Sequence, residues 1–289
     1  MKTESPASTP IVRMFEHKCR LVAIDLDWTT LTSQKTIGPR TVQAVNRALN
    51  EGCEVIFCTG RSRAQFERYL SHFPKLRYAI ASSGAVVYDV KTWEKLVSNE
   101  LPPELVRQIF AVGETLDCFP FMGMEGQSIY EGSMAPLAVE YGLENYLYEM
   151  YNFATPVEHL FQWYQTQNCP VESISFYFRD HSPCGIVRQT LCDLPLYLSF
   201  PKEPCVEMNM NTADKGIALT ALCKKLGITL EQTMVIGDSD NDVPMFRAAG
   251  LSVAVDNASD AVKAEADAVT FDCDHDGVGA AIERFLFHS

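Results

Sequence analysis

The feature that most constrains the fold is a repeated alternation of short apolar runs with amphipathic segments. Leu21–Ile24 is entirely apolar, and a helix pattern follows between Pro39 and Gly52. Apolar runs at Glu54–Cys58 and Tyr78–Ala81 continue the rhythm, with a second helix predicted between them over residues 63–70. Short continuous apolar runs are typical of strands in parallel sheets that are buried on both faces. The order βαβαβ predicts an α/β fold with a Rossmann-like, doubly wound parallel sheet.

This rhythm is interrupted in the middle of the chain. From about residue 88 the pattern is irregular and rich in aromatic residues. Strand and helix patterns return at Cys205, with a helix predicted over residues 215–226. We therefore predict a core made of two segments, 18–87 and 205–289, with an α+β domain inserted at 88–204. A polar leader, residues 1–17, is expected to be flexible.

The chain is acidic, with a net charge of −13 from 24 Lys and Arg against 37 Asp and Glu. This charge repels nucleic acid and anionic membranes at long range, so neither is expected as a partner. No apolar run approaches the roughly 20 residues of a membrane span, and the first residues lack the apolar segment of a signal peptide. We expect a cytoplasmic monomer or small homo-oligomer that acts on a small molecule.

Four polar clusters follow predicted strands or open a predicted helix, which is where ligands bind in such folds. The first contains Asp25 and Asp27, which an extended backbone projects to the same side, where they repel each other. A hard divalent cation such as Mg²⁺ relieves that repulsion. A strand end with Asx turns has the same pattern, so the pair alone proves little.

The other three clusters offer phosphate and metal contacts. Thr59-Gly60-Arg61 presents a hydroxyl and an open glycine amide, which can face a phosphate oxygen. Lys215 lies at a predicted helix start, where an ammonium and free N–H groups neutralise an anion. The acidic loop at residues 237–242 is a source of further metal ligands. Each cluster also has an ordinary interpretation, as a turn, a solvated lysine or a solvated acidic loop.

In order along the chain, these clusters resemble the motifs of a known family. DLDWTTL, CTGRS, EMNMNTADKG and GDSDNDVPMF are similar to the four ordered motifs of the haloacid dehalogenase (HAD) superfamily. They match its Cof-type (subfamily IIB), sugar-phosphatase-like branch best. AVDNA, ADAVT and DGV also resemble the C-terminal core of that branch. The resemblance covers residues 20–90 and 205–287, and it implies a HAD-like core with a cap domain at the insertion.

The resemblance implies a magnesium-dependent phosphatase acting on small phosphate monoesters, sugar phosphates first. Asp25 is similar to the nucleophile that forms an aspartyl-phosphate, and Asp27 to the neighbouring general acid and base. The resemblance also implies phosphate contacts and Mg²⁺ ligands. The phosphate contacts are Leu26, Thr59, Gly60, Lys215 and Asn241, and the Mg²⁺ ligands are Asp25, Asp27 (through its backbone carbonyl), Asp238 and Asp242.

Trp28 departs from the family pattern, in which this position is commonly small. A bulky indole beside the nucleophile narrows the pocket or stacks on a flat or sugar-like ring of the substrate. Packing against the adjoining loop is the other interpretation. We take Trp28 and Arg61 as candidate substrate contacts.

Alternative functions stay open at this point. A phosphomutase has the same core and a similar cap but passes the phosphoryl group to a second sugar hydroxyl. A non-catalytic phospholigand sensor is expected to have lost a motif residue, whereas all are present here. A dehalogenase lacks the second carboxylate and the metal, so Asp27 and Asp238 argue against it.

Residues 272–283 fit the spacing of an EF-hand calcium loop, but a predicted strand precedes them where an EF-hand has a helix.

Overall fold

The computed structural model describes residues 18–200 and 204–287, so the predicted flexible leader at 1–17 lies outside the described residues. The strands, in chain order, are β1 (Leu21–Ile24), β2 (Glu54–Cys58), β3 (Tyr78–Ala81), β4 (Val86–Asp89), β5 (Glu94–Ser98), β6 (Phe119–Met124), β7 (Gln127–Glu131), β8 (Ala154–Val157), β9 (Ser173–Tyr177), β10 (Leu196–Ser199), β11 (Cys205–Met210), β12 (Thr233–Gly237), β13 (Leu251–Ala254) and β14 (Ala268–Val269). The α-helices are α1 (Pro39–Asn50), α2 (Arg63–Phe66), α3 (Pro103–Gly113), α4 (Leu147–Phe153), α5 (Leu160–Gln167), α6 (Ser182–Leu191), α7 (Lys215–Leu226), α8 (Val243–Ala248), α9 (Asp260–Glu265) and α10 (Gly277–Ile282).

The chain divides into two compact units. Among the described residues, unit 1 comprises 18–57, 75–77 and 223–287, and unit 2 comprises 58–74, 78–200 and 204–222. The domain boundaries inferred from the sequence, with a core at 18–87 and 205–289 and an insertion at 88–204, stay a prediction.

Unit 1 is built on a parallel sheet in the order β14-β13-β12-β1-β2. Strand β1 lies between β12 and β2, with Leu21 opposite both Thr233 and Glu54. All four residues of β1 have no exposed surface. A strand buried on both faces has no polar side to expose, which is why its sequence is an uninterrupted apolar run. The predicted doubly wound parallel sheet is confirmed.

Helices α1 and α10 pack against each other in unit 1. The N–H of Gly279 donates to Thr41 Oγ1 at 3.2 Å. A β-carbon at Gly279 would lie 2.8 Å from the backbone nitrogen of Thr41, closer than real β-carbons approach other atoms. The two helices therefore approach so closely that only glycine fits at this position.

The loop at the start of residues 272–283, whose spacing resembles that of a calcium site, uses its carboxylates to accept backbone N–H groups. Asp276 Oδ1 accepts the N–H of Thr41 at 2.9 Å, and Asp274 Oδ1 accepts that of Ser33 at 2.8 Å. Asp272 Oδ1 accepts the N–H of Asp274 at 2.9 Å. Strand β14 precedes the loop, as the sequence predicts. These carboxylates join neighbouring segments of unit 1, which is a structural role.

Unit 2 contains two sets of strands. In one, β4 pairs antiparallel with β3 and with β5. The other is a six-stranded sheet in the order β10-β11-β9-β6-β7-β8, antiparallel except for the parallel pair of β7 and β8. Helices α3, α5 and α6 contribute buried apolar residues to the core that covers this sheet. The insertion is therefore α+β, as predicted. Strand β11, where the core rhythm was expected to return, pairs with β9 and β10.

One helix differs from its prediction. The sequence predicts a helix over residues 63–70, whereas α2 ends at Phe66 and a 3₁₀ helix continues from Glu67 to His72. The start is well defined, because Ser62 and Gln65 form a capping box. Short 3₁₀ segments at the ends of α-helices keep the same apolar spacing approximately, so periodicity alone does not distinguish them.

No helix among the residues that the structure describes has both the length and the apolar character needed to cross a membrane. The cytoplasmic location and the oligomeric state stay predictions.

Candidate active site

Asp25 follows β1 directly, at the carboxyl edge of the parallel sheet of unit 1. Its backbone is extended, and its N–H donates to the carbonyl of Ile236 at 3.0 Å, which continues the ladder between β1 and β12. The residue is only 5% exposed. The sheet therefore fixes this carboxylate in a protected position at the edge where such folds bind ligands.

Three carboxylates converge at this edge. Asp25, Asp238 and Asp242 each offer an oxygen that lies within 4.8 Å of the other two, and Asp25 and Asp242 are buried. Carboxylates this close repel one another unless a cation or protons compensate them. A hard divalent cation takes oxygen ligands at about 2.0–2.6 Å, which places neighbouring ligand oxygens at spacings of this order. The donor set therefore fits a divalent cation.

Asp242 is held by the loop that follows β12. Its Oδ2 accepts the N–H groups of Asp238 and Ser239, at 2.9 and 3.1 Å. Gly237 makes room for this carboxylate, since a β-carbon there would lie 2.4 Å from Asp242 Cγ. The glycine at the end of the strand is thus required by the close approach of a buried carboxyl group.

Two other side chains complete this loop. Asp238 Oδ1 accepts a hydrogen bond from Thr29 Oγ1 at 2.9 Å, and Asn241 Oδ1 accepts one from Ser239 Oγ at 2.9 Å. Asn241 is exposed. The contact of Thr29 was not predicted, because it joins positions 209 residues apart. Its only signal in the sequence is that both residues follow predicted strands.

The chain reverses in a tight turn immediately after Asp25. The N–H of Leu31 donates to the carbonyl of Leu26 at 2.8 Å, and Thr30 Oγ1 donates to the carbonyl of Asp25 at 2.5 Å. Trp28 has φ 57°, in the left-handed region that L-residues other than Asn and Asp rarely adopt. A bulky residue in this conformation indicates that its neighbours hold the turn firmly.

Asp27 and Trp28 share a contact with Lys35. Lys35 Nζ donates to Asp27 Oδ1 at 2.8 Å and lies 5.2 Å from the centroid of the Trp28 ring. The side chains of Asp27 and Lys35 are each 36% exposed. Exposed pairs contribute little to stability, so the contact chiefly orients the Asp27 carboxylate. Lys35 was not predicted, because its position depends on the hairpin closed by the bridge between Leu31 and Ile37.

The second motif lies in unit 2, just after β2. Thr59 is fully buried, and its Oγ1 accepts the N–H of Arg61 at 3.1 Å. This bond uses a lone pair of the hydroxyl and leaves its proton available for donation. Gly60 is exposed, and a β-carbon there would lie 3.3 Å from Ser83 Oγ. The motif therefore combines a fixed hydroxyl with an open backbone amide.

Lys215 is the first residue of α7 and is 1% exposed. Burial disfavours a charged ammonium unless anionic or polar groups surround it. Asp214 precedes it, and Asp214 Oδ1 accepts the N–H of Ile217 at 2.6 Å, which caps the first turn of the helix. The cap fixes the helix start and with it the origin of the lysine side chain.

Arg61 belongs to a buried charged cluster in unit 2. It is 8% exposed, and its Nη2 lies 3.6 Å from Glu149 Oε1. Arg68 Nη2 is 3.6 Å from the same oxygen and donates to the hydroxyl of Tyr69 at 2.6 Å. Two guanidinium groups thus face one carboxylate. The role of Arg61 as a substrate contact stays a prediction.

Comparison with known proteins decides the family. Residues 22–282 match the family of haloacid dehalogenase-like hydrolases. The chain belongs to this family. It is 27% identical over 292 residues to phosphatase YwpJ of Bacillus subtilis, covering 92% of this chain and 100% of that protein. It is 26% identical over 293 residues to the pyridoxal phosphate phosphatase YbhA of Escherichia coli, covering 92% and 98%.

Among solved structures, the HAD subclass IIB sugar phosphatase BT4131 superposes with a TM-score of 0.76 at 22% identity, covering 92% of this chain and 98% of that one. The chain is thus a Cof-type HAD hydrolase with a HAD-like α/β fold, and it is a phosphoric monoester hydrolase. Members of this family generally use a divalent metal, with which the carboxylate triad is compatible.

Proposed function

We propose that this protein is a magnesium-dependent phosphatase that hydrolyses small phosphate monoesters through an aspartyl-phosphate on Asp25. The convergence of Asp25, Asp238 and Asp242 at the carboxyl edge of the parallel sheet is the observation that carries the proposal. A buried carboxylate beside two others has its charge compensated when a cation is bound, and it then remains a nucleophile instead of becoming protonated.

The reaction needs two carboxylates with different tasks. In the first half, an oxygen of Asp25 bonds to phosphorus while the ester P–O bond breaks, and Asp27 gives its proton to the leaving oxygen. In the second half, Asp27 takes a proton from water, whose oxygen attacks phosphorus and releases inorganic phosphate and free Asp25. The positions support this assignment, since Asp25 belongs to the carboxylate triad that a bound cation would keep ionised, whereas the half-exposed side chain of Asp27 can exchange a proton with solvent.

We assign the phosphoryl oxygens to donors from the motifs described above. The fixed hydroxyl of Thr59, the open amide of Gly60 and the buried ammonium of Lys215 are suited to an anion. Phosphoryl transfer depends mainly on positioning and charge neutralisation, which such donors provide. The backbone amide of Leu26 and the side-chain amide of Asn241 complete the proposed set.

Mg²⁺ is the proposed cation, because carboxylate and carbonyl oxygens are its preferred ligands. The side chains of Asp25, Asp238 and Asp242 and the backbone carbonyl of Asp27 would hold it. When bound, the ion would neutralise charge on the phosphoryl oxygens.

The proposed substrates are sugar phosphates first, and pyridoxal phosphate or a nucleotide second. One relative is named as a pyridoxal phosphate phosphatase and one solved structure as a sugar phosphatase. Both substrates carry a ring, and the exposed indole of Trp28 offers a flat surface for one. Arg61 is the second proposed substrate contact.

The test is phosphate release from a panel of phosphomonoesters, with and without Mg²⁺. Asp25→Asn removes the nucleophile and is expected to abolish turnover, whereas Asp260→Asn removes an exposed carboxylate of α9 and should leave it intact. Turnover that survives in Asp25→Asn would contradict the proposal. Product analysis separates hydrolysis from a phosphomutase, since a mutase yields an isomeric ester instead of free phosphate.

A further inference from the structure

A fully buried glutamate in unit 2 has no task in the mechanism above. Glu172 has no exposed surface. Its Oε2 accepts the hydroxyl of Ser82 at 2.6 Å, and its Oε1 accepts the hydroxyl of Tyr88 at 2.9 Å and the N–H of Gly126 at 2.7 Å. All three donors are neutral. Burial of a carboxylate is costly, and short charge-assisted hydrogen bonds are what compensate it here.

The serine held by Glu172 opens a strained turn. Ser82 and Ser83 have φ values of 49° and 57°, and Gly84 has φ 101°. Consecutive non-glycine residues in the left-handed region are unfavourable and persist only where the surroundings impose them. The side chain of Asn209 also contacts this turn, since its Nδ2 lies 3.4 Å from the carbonyl of Ser82 and 3.1 Å from that of Glu172. Glu172 and Asn209 therefore hold the turn together.

One side of the Ser82–Gly84 turn supports the second motif. The N–H of Ser82 donates to the carbonyl of Arg61 at 3.0 Å, and the N–H of Ser83 donates to that of Thr59 at 3.1 Å. Ser83 Oγ lies 3.3 Å from the position of a β-carbon on Gly60. A shift of the turn would move the hydroxyl and the amide proposed to bind phosphate.

The other side of the turn contacts the start of α7. A β-carbon on Gly84 would lie 2.3 Å from the carbonyl oxygen of Asp214, so the two backbones are in direct contact. Lys215 is the next residue. The turn therefore lies between the two segments of unit 2 that supply phosphate donors, and its conformation sets the spacing of both.

We propose that Glu172 is a positioning residue that locks the Ser82–Gly84 turn and thereby keeps Thr59, Gly60 and Lys215 placed for one phosphoryl group. The inference rests on the proposed function for what these three residues bind. The expected effect of Glu172 is on affinity for the phosphoryl group, because the residue acts on the phosphate donors only through the position of the turn.

The test compares two variants that each remove one hydrogen bond from the same buried carboxylate. Ser82→Ala removes the bond to the turn, and Tyr88→Phe removes a bond on the opposite oxygen. Both should lower the melting temperature. Only Ser82→Ala should weaken binding of inorganic phosphate, measured by calorimetry with Mg²⁺ present, by about tenfold, which corresponds to one charge-assisted hydrogen bond. Tyr88→Phe should bind phosphate as the wild type does.

Substitution of Glu172 itself provides the rescue control. Glu172→Gln keeps the shape of the side chain. Its amide oxygen can accept the hydrogen bonds from Tyr88 and Gly126, and the hydroxyl of Ser82 can rotate to accept one from the amide nitrogen. It should therefore retain phosphate affinity that Glu172→Ala loses. Equal phosphate affinity in Ser82→Ala, Tyr88→Phe and the wild type, or an equal loss in both variants, would reduce Glu172 to a stabilising residue and overturn the proposal.

Phosphate binding does not require turnover, so the two proposals fail separately. If the wild type and the variants bind phosphate in the predicted order of affinity but the wild type hydrolyses no ester, the phosphatase mechanism is refuted and the positioning role is supported. Ester hydrolysis with unchanged phosphate affinity in Ser82→Ala would do the reverse. A wild type that binds no phosphate would overturn the positioning role.

Discussion

Trp28 is a proposed substrate contact three residues after the proposed nucleophile. It is 50% exposed although it follows a buried strand, and its carbonyl is held by Asn257 Nδ2 at 2.8 Å. Because the backbone is fixed, Trp28→Ala should remove the ring without moving Asp25. If the indole stacks on the substrate, the Michaelis constant for ring-containing phosphomonoesters should rise about threefold to tenfold, with acyclic ones unchanged. An unchanged substrate profile would favour packing against the loop.

Gly237 has no side chain, which leaves room for the carboxylate of Asp242, so a substitution there tests how strongly metal binding depends on the position of that carboxylate. A β-carbon there would lie 2.4 Å from Asp242 Cγ, so Gly237→Ala must displace that carboxylate. Disturbing groups that orient metal ligands typically weakens metal affinity about 10–100-fold, and we expect the Mg²⁺ concentration for half-maximal activity to rise by at least the lower figure. Gly185→Ala is the control, because a β-carbon there meets nothing within 4 Å. The same Mg²⁺ requirement in both variants would contradict the prediction.

Individual elements differ in how well the sequence predicts them. Strands β1 to β3 and helix α7 have the predicted bounds, because buried strands leave uninterrupted apolar runs and helix starts carry caps. The strand order around β11 was not predictable, since its partners β9 and β10 are antiparallel neighbours chosen by tertiary packing. The same reason applies to the site: the motif carboxylates are visible in the sequence, whereas Lys35 and Glu172 gain their contacts only through folding.

The loop after β14 should give unit 1 a pH-dependent contribution to stability. The hydrogen bond to Asp272, followed by its charge, raises the pKa of His275, and the hydrogen bond to His275 lowers the pKa of Asp272. The raised pKa of His275 stabilises the folded state below the unfolded pKa of about 6.5, and this contribution is lost as pH rises through the folded pKa. The lowered pKa of Asp272 stabilises the folded state above its unfolded pKa of about 3.9, and that contribution is lost as pH falls through the folded pKa.

We therefore expect His275→Ala to lower the melting temperature most between about pH 4 and 6.5, with a smaller difference on either side. Asp272→Asn keeps an oxygen that can accept the backbone N–H groups of the loop, so it isolates the charge. The double variant should show no additional pH dependence beyond either single one. A deficit of His275→Ala that is constant from pH 4 to 9 would refute the pair as its cause.

For the whole molecule, an acidic chain that acts on anionic esters has to concentrate positive charge locally. The net charge of −13 opposes the approach of a phosphate, and the carboxylate triad adds to that opposition. A cation bound at the triad would reverse the sign of the charge there. The folded state without metal therefore carries an electrostatic cost that the metal-bound state does not.

Metal removal should consequently change the stability of the protein as well as its activity. With Mg²⁺ at a hundredfold excess over its dissociation constant, the folded state gains about 2.7 kcal/mol, which is a few degrees in melting temperature for a chain of this size. Asp238→Asn removes one charge from the triad, and its amide oxygen can still accept from Thr29. In EDTA this variant should therefore melt above the wild type, yet gain little from added Mg²⁺. Asp260→Asn, which removes an exposed charge elsewhere, should follow the wild type in both conditions. The prediction is wrong if Asp238→Asn melts below the wild type in EDTA, or if Mg²⁺ raises the melting temperatures of both proteins equally. Either result would mean that the cation does not act by relieving the repulsion within the triad.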